Sequence, residues 1–396
     1  MEETSKRKRR LSVSLMLSAV VAAGLFLRLF FVFQLHYEDL HLGTGYTHDE
    51  YNYIHMIQHF FTHGIYSYFS GAPDALVTPG YPLFLGIVFF LFGIGEAGIL
   101  AVKIIQAVLS TLSVVLVFFI TLQLTEKKRG ALIAAALLAI SPAAALYSRF
   151  ILTETLYLFL LLLYVSLQLL ALKKEKKRFH LLAGLFFGLA VLVRPMVIIL
   201  GPVPYVWKMI QTRTIQNWGK GLLVFFLPTF LLLLPWTLRN WIVLGKWIPL
   251  ASQTNPFYAG LAEDPSTLPV PDGGFSANLK LLFSLLVQQP ITMLKWFFYK
   301  KVNILFAWSA YWLPEGVVYF IPLDNMTNIF IKGAGALGLC YALIQKPFQL
   351  FAVWVALYMS LALLFVPNSR FGLQYLPFFC IFAGMAVQGL FRRREP

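Results

Sequence analysis

Several apolar runs in this chain approach or exceed the ~20 residues that an α-helix needs to cross a hydrocarbon core ~30 Å thick. No other feature restricts the fold so strongly. The first run, Leu11–Phe33, follows the basic stretch Lys6 to Arg10 and has no small-residue cleavage site before more apolar sequence. It reads as a retained membrane span rather than a signal peptide. With 59% hydrophobic and only 12% charged residues over 396 positions, the composition is not that of a soluble globular protein. The expected fold class is all-α, a polytopic transmembrane helical bundle.

The formal net charge of +15 does not point to nucleic acid, because the basic residues are gathered in short patches. These are Lys6 to Arg10, Lys127 to Arg129, Lys173 to Arg178, Lys208 to Lys220, Lys346 and Arg392 to Arg394. Placed between spans and at the termini, they follow the positive-inside pattern. The chain is therefore expected to be multi-pass in the cell membrane, with both termini cytoplasmic. The expected spans are Leu11–Phe33, Ile99–Leu124, Ala131–Tyr147, Thr155–Leu172, two short helices within His180–Met209 broken at Arg194-Pro195, Gly219–Leu238, Asn325–Ile344, Phe348–Val366 and Phe371–Leu390. That weave gives about ten crossings. The apolar run Pro79–Phe92 is too short for one and is expected to be interfacial; if it spanned, Lys127 to Arg129 would fall outside. Two segments, 35–97 and 239–322, are left on the outer side. Residues 1–396 read as a single integral-membrane domain with no separate soluble C-terminal domain. Cys340 and Cys380 both sit in apolar spans and imply neither a disulfide framework nor a thiol metal site.

The first outer segment carries Thr47-His48-Asp49-Glu50-Tyr51. Thr47-x-x-Glu50 is a capping box opening an amphipathic helix whose apolar face reads Tyr53, Ile57, Phe60 and Phe61. Glu50 thus has a structural explanation as well as a catalytic one, whereas the cap does not need Asp49. His55, His59 and His63 recur every four residues on the polar side of this helix. Such spacing can ligate zinc, but a histidine-rich polar face explains it equally, and no fourth ligand is evident. No cofactor is expected, and a divalent metal is possible but not indicated.

Ser148-Arg149 through Glu154 places a second carboxylate and a cation between two spans; an Arg149–Glu154 ion pair holding helices together is the simpler alternative. Arg194, Arg239 and Arg370 each lie where a span meets the outer surface, with Lys103 near the outer start of another. Snorkelling accounts for any one of them. Four arginines gathered against the positive-inside bias suit bidentate capture of a phosphate. A cationic, outward-facing site within a membrane fits a substrate with a lipid tail and a phosphate headgroup. A nearby carboxylate can take the proton of an attacking hydroxyl or amine, and the arginines can stabilise the departing phosphate. That describes inverting glycosyl transfer from a polyprenyl-phosphate sugar to an acceptor protein, cell-wall polymer or lipid on the outer face. The same cavity would serve a transporter or flippase of lipid-linked saccharides, but the nearly charge-free spans and long acidic outer loops favour the enzyme.

The chain resembles the GT-C superfamily of integral-membrane glycosyltransferases, in particular bacterial relatives of protein O-mannosyltransferases and of the lipid A aminoarabinose transferase. The resemblance rests on His48-Asp49-Glu50-Tyr51, Thr78-Pro79-Gly80-Tyr81-Pro82-Leu83, Ser148-Arg149 through Glu154, and Val193-Arg194-Pro195. It continues in Pro235-Trp236-Thr237-Leu238-Arg239-Asn240 and in Ser369-Arg370-Phe371 through Pro377. It implies Asp49 as catalytic base, Glu154 as a second acidic site residue, and Arg149, Arg194, Arg239, Arg370 and Lys103 as phosphate ligands. His48, Tyr51, Tyr81 and Asn240 are further site candidates. Gly80 stands where many relatives have a second proline.

Overall fold

The computed structural model describes residues 2–41, 48–69, 71–252, 255–270, 274–306 and 321–392. Every regular element among them is helical, and no strand occurs among the described residues. In chain order the α-helices are α1 (Glu2–His41), α2 (His48–His63), α3 (Gly80–Phe92), α4 (Glu96–Thr125), α5 (Lys128–Ala139) and α6 (Pro142–Leu146). They continue with α7 (Thr153–Lys174), α8 (Lys177–Val193), α9 (Val203–Thr212), α10 (Ile215–Leu244), α11 (Asn255–Tyr258) and α12 (Gly274–Gln288). The remainder are α13 (Pro290–Lys295), α14 (Lys301–Phe306), α15 (Ile321–Ile344), α16 (Gln349–Ala362), α17 (Ser369–Gly372) and α18 (Leu376–Arg392).

Among the described residues, six helical segments are long and apolar enough to cross a membrane: Ser12–Gln34, Glu96–Thr125, Thr153–Lys174, Ile215–Leu244, Asn325–Ile344 and Ser369–Gly389. The number rises to eight if two bent pairs each count as one span. The difference from ten has local causes. Pro195 pushes Arg194 into extended backbone, so α8 ends at Val193 after 17 residues. The following α9 has 10 residues and α16 only 14. The expected span Ala131–Tyr147 is a bent pair, α5 and the stretch Pro142–Arg149, meeting at 59°. Ser141 caps the second piece and Pro142 opens it, which breaks the ladder between them.

Arg28, fully buried within α1, closes this break. Its guanidinium donates to the carbonyls of Leu138 and Ala139, the last two residues of α5, at 3.3 and 3.2 Å, and to Ser110 Oγ at 2.7 Å. A cation at a helix C-terminus meets both the orphan carbonyls and the negative end of the dipole.

The other bent pair, Gly274–Gln288 with Pro290–Phe306 at 113°, lies in the segment expected to be a wholly outer loop. Its buried side (Leu282, Leu285, Met293, Trp296 and Phe297) packs on Phe257 and Leu261 as a satellite core. The main core runs through α4, α5, α7, α8 and α18, with α10 and α15 flanking it.

At 13 residues, α3 is only ~20 Å long. It packs across the end of α8 because Gly80 lacks a side chain. A Cβ there would lie 2.6 Å from the Leu192 carbonyl carbon and oxygen. The two cysteines are unpaired, Cys340 exposed and Cys380 buried.

Candidate active site

Four charged side chains from four separate elements meet in one unbroken chain of ion pairs. Asp49 comes from the first turn of α2, Glu154 from the first turn of α7, Arg194 from the end of α8 and Arg370 from α17. Arg370 donates from Nη1 to Asp49 Oδ2 at 2.7 Å, and its Nε lies 2.8 Å from Glu154 Oε1. Arg194 Nη2 donates to the same Glu154 oxygen at 2.6 Å, while its Nε donates to Thr153 Oγ1 at 3.0 Å. Phe371 lies 5.3 Å from both guanidinium carbons.

Exposure differs among the four members of this chain. The Glu154 side chain is 3% exposed, Arg194 16%, Arg370 19% and Asp49 38%. Glu154 is therefore the inner anchor and Asp49 the end open to a reactant.

Asp49 Oδ1 accepts a second hydrogen bond, 2.9 Å, from the Tyr68 hydroxyl. Burial pushes the Asp49 carboxyl up, but the Arg370 charge and the bonds from Arg370 and Tyr68, helped by Arg194, outweigh it and hold the group below the ordinary carboxylate range. Burial and the Asp49 charge raise the Tyr68 phenol well above its ordinary value, which keeps it a donor.

Glu50 reaches a partner outside its own helix. It is 2% exposed, and its Oε1 accepts from Ile151 N at 2.8 Å. It thereby ties α2 to the turn that leads into Glu154. Thr47 and the His48 side chain lie outside the described residues. The buried face of α2 is Glu50, Tyr53, Met56 and Ile57, whereas Phe60 and Phe61, expected on it, are each 44% exposed.

Tyr81 is buried and donates to Gln106 Oε1 at 3.0 Å. Gln106 Nε2 in turn holds the carbonyls of Ser148 and Phe150 at 3.1 and 2.6 Å. This pair supports the Glu154 turn from below. Arg149 is buried with its guanidinium 4.8 Å from the Phe150 ring, and Lys103 is buried in α4; neither presents its charge to solvent. Glu154 pairs with Arg194 and Arg370, where the simpler reading had placed Arg149.

Arg239 has carbonyl partners instead of a place in the ion-pair chain: Asp74 O at 2.6 Å and Tyr66 O at 3.1 Å. Asn240, also buried, donates to Ile248 O at 2.9 Å. Tyr51 is exposed and packs on His55, with ring centroids 4.2 Å apart; His59 packs on His63 at 4.5 Å. No group of three His, Cys, Asp or Glu among the described residues has the geometry to hold a metal ion.

Tyr68, Gln106 and Thr153 escaped the sequence reading. Gln106, a polar side chain amid an apolar span, is a signal that could have been used. Nothing local distinguishes Tyr68 from Tyr66, the other tyrosine of its loop.

Residues 76–237 match the family described as dolichyl-phosphate-mannose-protein mannosyltransferase. That stretch contains Glu154 and Arg194 and excludes Asp49 and Arg370. No curated protein sequence matches the chain. Among solved structures, the oligosaccharyltransferase of Archaeoglobus fulgidus in its apo form is similar, at 15% identity and a TM-score of 0.61. The match covers 96% of this chain and 51% of that one. The same archaeal enzyme, AglB, with an inhibitory peptide and a dolichol-phosphate gives a TM-score of 0.59 at 15% identity, covering 95% and 50%. ArnT from Cupriavidus metallidurans, bound to undecaprenyl phosphate, gives 0.54 at 15% identity, covering 95% of this chain and 60% of that one. The chain thus spans roughly half to three-fifths of the structures it matches.

Proposed function

The chain is a multi-pass membrane protein with the GT-C superfamily fold, and from that premise we propose that it is a glycosyltransferase using a polyprenyl-phosphate-linked sugar. The observation that carries the reading is the chain Asp49–Arg370–Glu154–Arg194, with its carboxylate end open. An acceptor hydroxyl or amine attacks the anomeric carbon from the side opposite the phosphate. The new glycosidic bond forms as the bond from the anomeric carbon to the phosphate oxygen breaks, which inverts the configuration. Asp49 receives the acceptor's proton, and the lipid phosphate departs with the electron pair.

A carboxylate held below its usual range is a weak base. Its task is to orient the nucleophile and take the proton late, once bond formation has acidified it. The arginines, anchored on buried Glu154, are presented to the leaving phosphate without needing to be ordered at the moment of reaction. Similar structures that hold dolichol-phosphate or undecaprenyl phosphate support a lipid-phosphate donor. The outer face of the cell membrane as the site of reaction, with both termini cytoplasmic, follows from the basic patches. The acceptor is a protein, a cell-wall polymer or a lipid.

The test supplies purified protein and membranes with polyprenyl-phosphate sugars labelled in the sugar. Wild type should move label to an acceptor fraction, and Asp49→Asn should not. Near-wild-type transfer by Asp49→Asn removes the role of Asp49. Donor crossing vesicles without transfer makes the protein a flippase.

A further inference from the structure

Asp49 is gripped by two side chains that arrive on separate loops, and each loop is fastened by a cation outside the ion-pair chain. Tyr68 belongs to the loop between α2 and α3. Arg239, near the end of α10, takes hold of that loop at Tyr66 O and Asp74 O, at 3.1 and 2.6 Å. Its guanidinium sits 5.1 Å from the Tyr66 ring and 5.4 Å from that of Trp236. The Asp74 carboxylate then accepts from Tyr68 N at 2.8 Å and from Ser67 Oγ at 3.1 Å. The backbone on both sides of Tyr68 is thereby tied to one guanidinium.

Arg370 is held in a comparable way. Lys301 is fully buried, 4.1 Å from the Phe297 ring, and donates from Nζ to Leu363 O at 2.6 Å and Phe365 O at 3.2 Å. These carbonyls follow the end of α16 and begin the loop that delivers Arg370. Val366 N bonds to Pro256 O at 2.7 Å, and Asn368 Oδ1 accepts from Arg370 N at 2.9 Å. The Leu305 carbonyl, one turn after Lys301, abuts Gly372 so closely that no side chain fits there.

We propose that Arg239 and Lys301 are positioning residues for the Asp49 carboxylate, acting through Tyr68 and Arg370 respectively. The proposal rests on the reading of Asp49 as the base. Each basic side chain donates to two carbonyls at once, so a replacement that cannot reach both leaves a buried carbonyl unpaired and lets the loop relax. A displacement of ~1 Å in a reacting group can cost on the order of 100-fold in rate. For Arg239 this assignment replaces the phosphate-ligand role expected from its place in the sequence.

The experiment reads Asp49 directly and needs no turnover. Carbodiimide labelling of Asp49, followed by peptide mass spectrometry, is measured against pH on the full-length protein in detergent. The charged and titratable groups facing Asp49 are Arg370, Tyr68, Arg194, Glu154 and Tyr53. Arg239→Gln and Lys301→Met should each move half-labelling upward, by about one pH unit where the Arg370 contact is lost. The Arg239→Gln shift should vanish in a Tyr68→Phe background, and the Lys301→Met shift in an Arg370→Gln background. Unchanged labelling, or equal shifts in both backgrounds, overturns the proposal. Arg239→Lys and Lys301→Arg, which keep the charge, should give smaller shifts of the same sign and serve if either first variant fails to fold. Coupled shifts in a protein that transfers no sugar would refute the proposed reaction and leave the positioning roles standing.

Discussion

Arg370 bridges two carboxylates that lie 105 residues apart in sequence, with Nη1 2.7 Å from Asp49 and Nε 2.8 Å from Glu154. One guanidinium thereby fixes the distance between the open end of the site and its buried anchor. Replacing it leaves Asp49 with the Tyr68 hydroxyl and Glu154 with Arg194 and the Thr153 hydroxyl. We expect Arg370→Gln to abolish transfer and to cost about 1.5–3 kcal/mol of stability, the range for a hydrogen bond to a charged group. The unfolding midpoint in detergent gives the second figure. Unaltered stability and turnover would mean that this bridge is not used.

Asp49→Asn should lower kcat by roughly 100- to 10,000-fold, the usual share of general base catalysis, and should also lower stability at neutral pH, because the Arg370 charge loses one of its two carboxylates. Single-turnover transfer from a labelled donor measures it.

The pH dependence follows from the sign of the Asp49 shift. Its carboxyl is depressed in the folded state. The stability it contributes is therefore present above the unfolded value of about 3.9 and is lost as pH falls through the folded one. The base form likewise persists to that point. A profile of kcat/KM should show no limb from Asp49 above about pH 4, and Arg370→Gln should raise that limb in whatever activity survives.

Glu50 separates a structural from a catalytic carboxylate. Glu50→Ala leaves the buried Ile151 N–H without its acceptor and should cost about 1–3 kcal/mol. Glu50→Gln keeps an oxygen there and should retain most of the transfer activity. Loss of activity in Glu50→Gln at unchanged stability would return Glu50 to the chemistry.

Gly80→Ala tests the seat of α3 on α8. The added Cβ meets backbone at 2.6 Å, so α8 must move, at about 1–3 kcal/mol. Arg194 is two residues beyond the contact, so turnover should fall along with the unfolding midpoint.

What the sequence conveyed was the type of each residue and its place relative to apolar runs. That sufficed for the helical class and marked Glu154, Arg194 and Arg370 as charges beside apolar runs, whereas Asp49, in a polar stretch, was singled out mainly by the family resemblance. It did not convey which cations meet which acids. Arg239 has the same local signature as Arg194, yet one ends on carbonyls and the other on a carboxylate. Glu50 matched a capping box, a pattern spanning four residues, which carries no sign of its bond to a backbone N–H 101 positions away. The span count differs because the helices formed from His180–Met209 and Phe348–Val366 are short: α8, α9 and α16 have 17, 10 and 14 residues.

The two carboxylates and two guanidiniums of the ion-pair chain sum to zero formal charge. Such a quadrupole has a field that dies away within a few ångströms, well inside the ~8 Å screening length of physiological salt. It offers little long-range attraction to a phosphate in solution, and steering of the kind that raises encounter rates is weak. A phosphate borne on a lipid has no need of it: diffusion in the plane of the membrane brings the headgroup past the site at a fixed depth. Turnover with a membrane-borne donor should then be nearly indifferent to ionic strength.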